Sequence, residues 1–482
     1  MTHGISFPAD PDGRRSTTEL GREVVADALR GVDPAGALGV EQETNWRSGY
    51  LAHFRRLVEA GLISPEAWVR IARDGLESVG SRMVVADPDA DDSADAPLAS
   101  LATATPSRTL RTEIVHGAAD PTAELSVPYR GRVLRGAELV AQLAAWAERG
   151  ILEPSAAEAV GEVVAHPEWL AAEGHTVVVL GAGAEMGPLA PLLRWGATVA
   201  AVDLPREAVW ERVRRTAAES AGRLLVPVGA DGAAGADLLA EVPDVAAWAE
   251  GLDGRLVVGN YLYADGATHV RVSVAADVLG TRLIAARPGT GRAFLATPTD
   301  VFAVPRAAVE ASNAAYAQRS ALAKTLGRPL RWASRGRLLH RAYPPGADPG
   351  IGDSLVPVQG PNYALAKRIQ RWRASVSRAD GELVSFHVAP STRTRSVVKN
   401  RALAAAFAGA HRFGVEVFEP ATANTLMAAL LVRDLAQPPA RHAHPWQDED
   451  DAAVHGGLWR AAYEPRSALG LAAVLGYGSA RG

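Results

Sequence analysis

A tyrosine and a lysine four residues apart are the first residues in this chain that could do chemistry together. The stretch GPNYALAKRIQRW contains Tyr363 and Lys367, and this lysine is one of only three in a sequence whose other positive charges are arginines. Residues four apart are neighbours on one face of a helix. A nearby ammonium group favours the ionised form of a phenol, whose ordinary pKa is about 10. The pair therefore suits general acid–base catalysis.

A purely structural role is the alternative for this pair. On a surface helix Tyr363 would pack, and Lys367 would extend its apolar stem toward solvent. The same helix carries Arg368, Arg371 and Arg373, which alternate with apolar residues. This spacing predicts a solvated basic face.

A glycine turn lies earlier in the chain, in the stretch VVVLGAGAEMG that ends at Gly187. Gly181 would allow a tight turn after a strand, Gly183 would let the backbone approach a phosphate, and Gly187 would permit close helix–sheet packing. Asp203 ends the next predicted strand, at the distance expected of an acid that binds a ribose hydroxyl. The pattern predicts a nucleotide-type ligand, with a purely structural turn as the alternative.

Two ligand classes remain open for this turn, a nicotinamide dinucleotide and S-adenosylmethionine. Asp203 favours NAD over NADP because its charge repels a 2′-phosphate, whereas Arg206 could reverse this preference by pairing with that phosphate. The turn residues predicted to contact the ligand are Gly181, Gly183, Ala184, Glu185, Met186 and Gly187.

The elements that must position these residues begin near residue 175. Apolar strand-like runs alternate with amphipathic helices: HTVVVLG, ATVAAVD, RLLVPVG, GRLVVGN, RAFLATP and GELVSFHVAP. This order predicts a parallel sheet with helical crossovers. We place an α/β domain at residues 171–435, interrupted by an insertion at 303–360 before the helix of Tyr363. The apolar and aromatic residues of the insertion would suit either a bulky apolar substrate or packing on the core.

The flanking regions look different. Residues 1–40 are polar and rich in Gly, Pro and Asp, which predicts a flexible arm. Residues 41–170 are predicted to be mostly helical, with an exposed loop at 87–109 and short strands in LRTEIVHG and ELSVPYRG. Residues 436–482 form a predicted tail that packs on the core, and its acidic run at 448–451 is expected to be a solvated loop.

Two helical hairpins are predicted in the second of these regions. LVEAGLISPEAW and LAAWAERGILEPSAAEAV share a helix that ends near a glycine and a second helix that starts at a proline. Common descent and a recurring local solution explain the likeness equally well.

Composition narrows the class of protein. The net charge of −4 argues against a nucleic-acid partner, and the absence of cysteine excludes disulfides and thiolate metal sites. We see no signal peptide and no apolar run long enough to span a membrane, so a cytoplasmic protein is expected. His442 and His444 lack a visible third ligand, and no metal site is expected.

Taken together, residues 175–435 resemble the short-chain dehydrogenase/reductase superfamily. The resemblance rests on the glycine turn, Asp203, Asn260 after the fourth strand, and the pair Tyr363 and Lys367. It continues into VAPSTRT, where Pro390 and Thr394 match a Pro and a Thr of the family. It implies a doubly wound Rossmann-type fold, NAD or NADP as cofactor, and hydride transfer between carbonyl and alcohol.

The resemblance also assigns roles to residues. Tyr363 would donate the proton to the carbonyl oxygen. Lys367 would bind ribose and lower the pKa of the phenol, and Thr394 would contact the cofactor. The family's catalytic serine has no match at its usual position, and Thr297, Thr299 and Ser354 are the candidate hydroxyls.

Other departures from the family are visible. The glycine spacing differs, Ser391 replaces a glycine, and HVRVSVAADVLGTRL lacks the helix asparagine of the family's proton relay. The sequence therefore predicts an NAD(P)-dependent oxidoreductase acting on a small molecule. The alternatives are a catalytically silent Rossmann scaffold, a methyltransferase, and an epimerase or dehydratase that oxidises its substrate transiently. A homodimer could form through the helices after the fourth and fifth strands, unless the insertion covers them.

Overall fold

The structure, a computed structural model, describes residues 4–86, 95–319, 332 and 338–477. The predicted loop at 87–109 and the predicted insertion at 303–360 therefore lie partly outside the described residues. The described part is a mixed α/β protein built around one large sheet.

Fourteen strands are present in the described part. They are β1 (Gly4–Ser6), β2 (Val84–Ala86), β3 (Ala96–Pro97), β4 (Arg111–His116), β5 (Ser126–Tyr129), β6 (Arg132–Arg135), β7 (His175–Leu180), β8 (Thr198–Val202), β9 (Arg223–Val228), β10 (Arg255–Asn260), β11 (Gly291–Ala296), β12 (Val301–Val304), β13 (Gly350–Asp353) and β14 (Val384–Val388).

The helices of the described part follow the same chain order. They are α1 (Thr17–Arg30), α2 (Pro34–Glu41), α3 (Trp46–Gly61), α4 (Pro65–Arg82), α5 (Gly136–Glu148), α6 (Pro154–Ala165), α7 (Leu189–Arg194), α8 (Glu207–Ala218), α9 (Val242–Glu250), α10 (Ala267–Ala286), α11 (Arg306–Ala317), α12 (Gly360–Ala379), α13 (Arg395–Lys399), α14 (Arg401–Gly409), α15 (Pro420–Ala436), α16 (Pro445–Asp450) and α17 (Pro465–Gly476).

The central sheet has seven strands in the order β14-β11-β10-β7-β8-β9-β4. The first six are parallel, which confirms the predicted parallel sheet, and β4 joins the edge antiparallel to β9. Leu180, Asn260 and Phe294 are paired across β7, β10 and β11, so these three strands end at the same level. Loops that leave these strands therefore meet at one edge of the sheet.

Both faces of the sheet are covered. Val178 and Val258 point into one apolar core with α1, α3, α4, α10 and α12. Val179 and Val257, one residue along the same strands, point into a second core with α5, α6, α8 and α15. Because alternate strand residues face opposite sides, the two cores lie on opposite faces of the sheet.

The N-terminal residues are not the flexible arm that the sequence predicts. Ser16 caps α1 by accepting a hydrogen bond from the backbone of Glu19, and α1 buries Val24, Val25 and Leu29. The low overall apolarity of residues 1–40 concealed this helix. It packs against α4 and extends the first core.

The two predicted helical hairpins are present, as α3–α4 and α5–α6. Proline opens the second helix of each, at Pro65 and Pro154. The hairpins lie on opposite faces of the sheet: α4 packs against α12, whereas α6 packs against α15.

The predicted tail packs on the sheet domain. Trp459 is fully buried beside Phe302, and the carbonyl of Trp459 accepts a hydrogen bond from the hydroxyl of Tyr343 in the predicted insertion. The prediction of a solvated acidic loop is wrong, because Asp448 and Glu449 are buried at the end of α16. No helix within the described ranges is both long and apolar enough to cross a lipid bilayer.

Candidate functional site

The helix α12 carries Tyr363 and Lys367 and connects β11 to β14, two neighbouring strands of the central sheet. It begins at Gly360, whose φ of +79° favours glycine, and Pro361 occupies its first turn. This start places Tyr363 in the first turn, beside the chain that leaves β11.

The phenol of Tyr363 meets a short chain of hydroxyl groups. The Thr297 hydroxyl, just after β11, is close enough to the Tyr363 phenol to lower the pKa of that phenol. The Thr297 hydroxyl lies 2.8 Å from that of Thr299, and Thr299 accepts a hydrogen bond of 2.6 Å from the side-chain amide of Gln359. The structure thus brings together Tyr363 and two of the three hydroxyls that the sequence offered. Gln359 was not predicted.

The pKa of Tyr363 moves opposite to the expected direction. Burial raises it to about 12, the Thr297 hydroxyl opposes this rise, and the negative charge of Asp300 adds to it. Lys367 is not the group that lowers this pKa in the protein. The phenol is therefore protonated at neutral pH.

Lys367 lies one helical turn after Tyr363, and its Nζ donates to the Leu295 carbonyl (3.2 Å) and to Gln370 Oε1 (3.3 Å). The Gln370 amide in turn donates to Ser273 Oγ on α10, 3.4 Å away. Burial lowers the pKa of Lys367 to about 8, although the charge of Asp300 opposes this shift. Lys367 is thus an amine close to its own titration point at neutral pH, held between β11 and α10.

His269 is a site residue that the sequence analysis missed. It is fully buried on α10, with its ring 5.3 Å from that of Tyr363 and 5.4 Å from that of Tyr263. Burial and the charge of Lys367 lower the pKa of His269 to about 3, so the imidazole is neutral. A lone histidine gave no spacing signal that could have identified it.

A buried ion-pair network lies on the helix that carries Tyr363 and Lys367. The prediction of a solvated basic face on this helix is therefore wrong. Asp300 accepts hydrogen bonds from Arg368 (3.0 Å) and Arg371 (2.7 Å), and Arg371 also binds both carboxylate oxygens of Glu449. All four residues are buried. The two arginines outweigh burial and hold the pKa of Asp300 below its usual value. The third arginine of the predicted face, Arg373, pairs with Asp277.

Ser354, the third candidate hydroxyl, is buried just after β13. Its backbone N–H donates to the Asp300 carbonyl, 3.0 Å away, which ties the segment before α12 to the residue that precedes β12. Asn260 is buried at the end of β10, and its side chain accepts a hydrogen bond from the backbone of Leu262. Asn260 also lines a cavity of about 10 Å³ with Ser273 and Gln370, which is room for about one water molecule.

The glycine turn follows β7 at the same edge of the sheet. Gly181 has a φ of +84°, and a Cβ at this position would come within 3.1 Å of the Tyr261 carbonyl, so glycine is required there. Most amides of the turn already have partners in the protein. Those that donate hydrogen bonds belong to Gly181, Ala182, Gly183, Ala184 and Gly187. The turn therefore offers few free N–H groups to a phosphate.

Asp203 lies at the end of β8 as predicted, and its carboxylate accepts a hydrogen bond of 2.7 Å from the Gly183 amide. A Cβ on Gly183 would come within 2.9 Å of Arg212 and 3.2 Å of Asp203. Arg212 donates to the Gly183 carbonyl, whereas Arg206 is exposed at the start of α8. Asp203 thus lies where a carboxylate that binds a ribose hydroxyl is expected, and Arg206 and Arg212 are nearby.

The helix that follows the glycine turn is short and begins only after Gly187. It begins only at Leu189 and has six residues. Gly187 lies in the irregular segment before it, where a Cβ would be 3.5 Å from the nearest atom, so close helix packing does not explain this glycine. A helix dipole aimed at a phosphate is not part of this turn.

The loop after β14 reaches back to the glycine turn. Glu185 accepts a hydrogen bond of 2.8 Å from the Arg395 backbone and pairs with the Arg395 guanidinium at 3.0 Å, and its own carbonyl accepts from Asn424. Thr394 occupies the N-cap position of α13 next to this contact, and Pro390 is buried at the base of the loop. Met186 packs at the edge of the second core. This loop therefore spans the sheet edge between β14 and β7.

The residues of the site fit a dinucleotide in part. The positive φ of Gly181, the position of Asp203 and the amine of Lys367 are those expected of a ribose and pyrophosphate site, whereas the turn offers few free amides. Comparison with known proteins does not narrow this further, because neither a protein-family model nor a curated protein sequence matches the chain.

Proposed function

We propose that this protein is an NAD(P)-dependent oxidoreductase of the short-chain dehydrogenase/reductase type, acting on a carbonyl or alcohol. The observation that carries the proposal is the contact between the Tyr363 phenol and the Thr297 hydroxyl at the end of β11. A proton donor and a second hydroxyl that face the same point can bind and protonate one substrate oxygen.

The topology supports a doubly wound Rossmann-type domain. Counted along the chain, the six parallel strands from β7 to β14 have the spatial order 3-2-1-4-5-6. This is the order of dinucleotide-binding folds, in which the ligand binds at the carboxyl edge where the strand order reverses. Here that switch lies between β7 and β10, next to both Gly181 and Tyr261.

The residues of the chain would divide the work as follows. Asp203 would bind the adenosine ribose, and Lys367 would bind the ribose on the nicotinamide side. When bound, the nicotinamide would supply or accept the hydride. Tyr363, whose raised pKa keeps it protonated, would donate its proton to the oxygen of a carbonyl substrate. Thr297 would hold that oxygen in place.

The raised pKa sets the protonation state in which Tyr363 would meet a substrate at neutral pH. A phenol with a pKa near 12 is a poor base at neutral pH, and alcohol oxidation would need the positive charge of an oxidised nicotinamide to lower that pKa. Reduction needs only a proton donor, which Tyr363 already is.

A catalytically silent nucleotide-binding scaffold is the second candidate. The occupied amides of the glycine turn favour it, because they reduce the number of donors available to a cofactor phosphate. Such a protein would bind NADH and convert no substrate.

Titration and turnover separate these functions. NADH, NADPH and S-adenosylmethionine are titrated into the full chain by calorimetry, and a panel of aldehydes and ketones is then screened for loss of nicotinamide absorbance. We expect NADH or NADPH to bind and at least one ketone to be reduced. Tyr363→Phe should bind the cofactor normally and lose at least about 100-fold in turnover.

Tyr477→Phe, an exposed tyrosine after α17, is the matched control and should behave as wild type. Binding of S-adenosylmethionine alone would overturn the oxidoreductase proposal. Binding of NADH with no turnover on any substrate of the panel would favour the scaffold.

A further inference from the structure

We infer that Arg395 is a ligand of the dinucleotide pyrophosphate, and that it exchanges Glu185 for this group when the nucleotide binds. The inference rests on the proposed function and deepens it. It assigns to the first residue of α13 a share of the anion binding, because few amides of the glycine turn are free.

The hydrogen bonding of the glycine turn indicates why a pyrophosphate would need a positively charged side chain here. A pyrophosphate at a dinucleotide site is ordinarily held by free amides and a helix N-terminus. In this chain most amides from residues 181 to 187 donate within the protein, and the six-residue helix α7 begins after the turn. Side-chain charge is therefore the remaining source of stabilisation for two phosphates.

The position of Arg395 meets this need. Its guanidinium lies 3.0 Å from the carboxylate of Glu185, and Glu185 is itself a residue of the turn, between Gly183 and Gly187. A phosphate that binds over the turn would come close to the same guanidinium. The carboxylate of Glu185 thus marks a place where an anion is already accepted by Arg395.

The pair is suited to exchange. The Arg395 side chain is 73% exposed and that of Glu185 is 31% exposed. Exposed ion pairs contribute little to stability, whereas a guanidinium can bind phosphate through two parallel hydrogen bonds. Breaking the ion pair between the Arg395 guanidinium and Glu185 therefore costs little free energy. The Arg395 backbone N–H can keep its hydrogen bond to Glu185.

The experiment compares NADH binding to full-length variants by calorimetry at several NaCl concentrations. Arg395→Gln should weaken binding about tenfold and flatten the dependence of log Kd on log salt, since one charged contact is lost. Glu185→Gln should tighten binding severalfold, because the competing carboxylate is removed while its shape is kept.

Arg401→Gln is the matched control, an exposed arginine in the same segment, and should change neither quantity. Thermal unfolding checks that each variant is folded. Wild-type binding by Arg395→Gln, or weaker binding with an unchanged salt dependence, would overturn the role of Arg395 and leave the proposed function standing. Failure of the wild-type chain to bind NADH or NADPH would overturn both.

Discussion

The Nζ of Lys367 donates a hydrogen bond to the carbonyl oxygen of Leu295, 3.2 Å away in β11. The contact crosses from a helix to the strand that precedes it in the sheet domain. It holds the amine at the carboxyl edge of the sheet, one helical turn from Tyr363. Because burial disfavours the charged form of Lys367, the free energy of unfolding should depend on pH in a way that can be measured.

Lys367→Met should change how stability depends on pH. The folded-state pKa of Lys367 is lowered to about 8, so between this pH and its ordinary value of 10.5 the unfolded chain binds more protons. Wild-type stability should therefore rise relative to the variant across this window, by about 2 kcal/mol. Urea unfolding of both proteins at pH 7 and pH 10 checks this. A stability difference that does not vary with pH would contradict the buried ammonium.

Thr297→Val should impair turnover without affecting cofactor binding. The hydroxyl is the group that lowers the pKa of Tyr363 against burial, and it would also hold the substrate oxygen. We expect a loss of about 100-fold in kcat on any ketone that the protein reduces. Thr299→Val, one step further from the phenol, should lose less. Equal losses for the two variants would place the substrate oxygen elsewhere.

Asp300→Asn should be strongly destabilising. Without this carboxylate, Arg368 and Arg371 stay buried, and Glu449 is the one acid left in the network. Breaking a buried ion pair on one side typically costs about 3–5 kcal/mol. Because the pKa of Asp300 is held below its usual value, its contribution is present at neutral pH and is lost as pH falls below about 4.

Denaturant unfolding at pH 7 measures the effect of Asp300→Asn. Asp277→Asn is the control, since Asp277 pairs with Arg373 where both side chains are partly exposed. It should cost less than Asp300→Asn, because water still reaches both side chains of this pair. Similar losses for both variants would show that the Asp300 network contributes no more than a surface pair.

Asp450→Asn should stabilise the protein at alkaline pH. Burial, and then the charge of Glu153, raise the pKa of Asp450 to about 8. Between the ordinary Asp value and pH 8 the folded state holds a proton that the unfolded state lacks, so wild-type stability falls as pH rises through this window. The variant lacks this titration and should gain about 4 kcal/mol relative to wild type between pH 5 and pH 8.5. Thermal unfolding at pH 5 and pH 8.5 tests it, and parallel curves would refute it.

Much of the sheet was predictable, because its strands are continuous apolar runs between turn residues. The edge strand β4 was predicted as a strand but not as part of this sheet. Most residues of β4 are exposed, and the strand with which it pairs, β9, lies far along the chain. Local pattern identifies a strand, whereas pairing depends on distant residues.

The site was predictable only where spacing along the chain carried the signal. Tyr363 with Lys367, and the turn with Asp203, have such spacing. The burial of Arg371 could not be predicted, because its partners Asp300 and Glu449 are brought in from other segments. An arginine at helical spacing is usually solvated, and only the fold shows that this one is not.

The packing of α3 and α4 against α12 has a consequence for the autonomy of the sheet domain. Trp68 donates a hydrogen bond to Ser375, and Gly75 leaves room for the ring of Trp372, so the first helices cover the outer side of the helix that bears Tyr363. A second copy of the chain cannot occupy that side, and a homodimer would need another surface. The sheet domain is therefore not a separable module: cut free of residues 4–82, it would present bare apolar surface along α12.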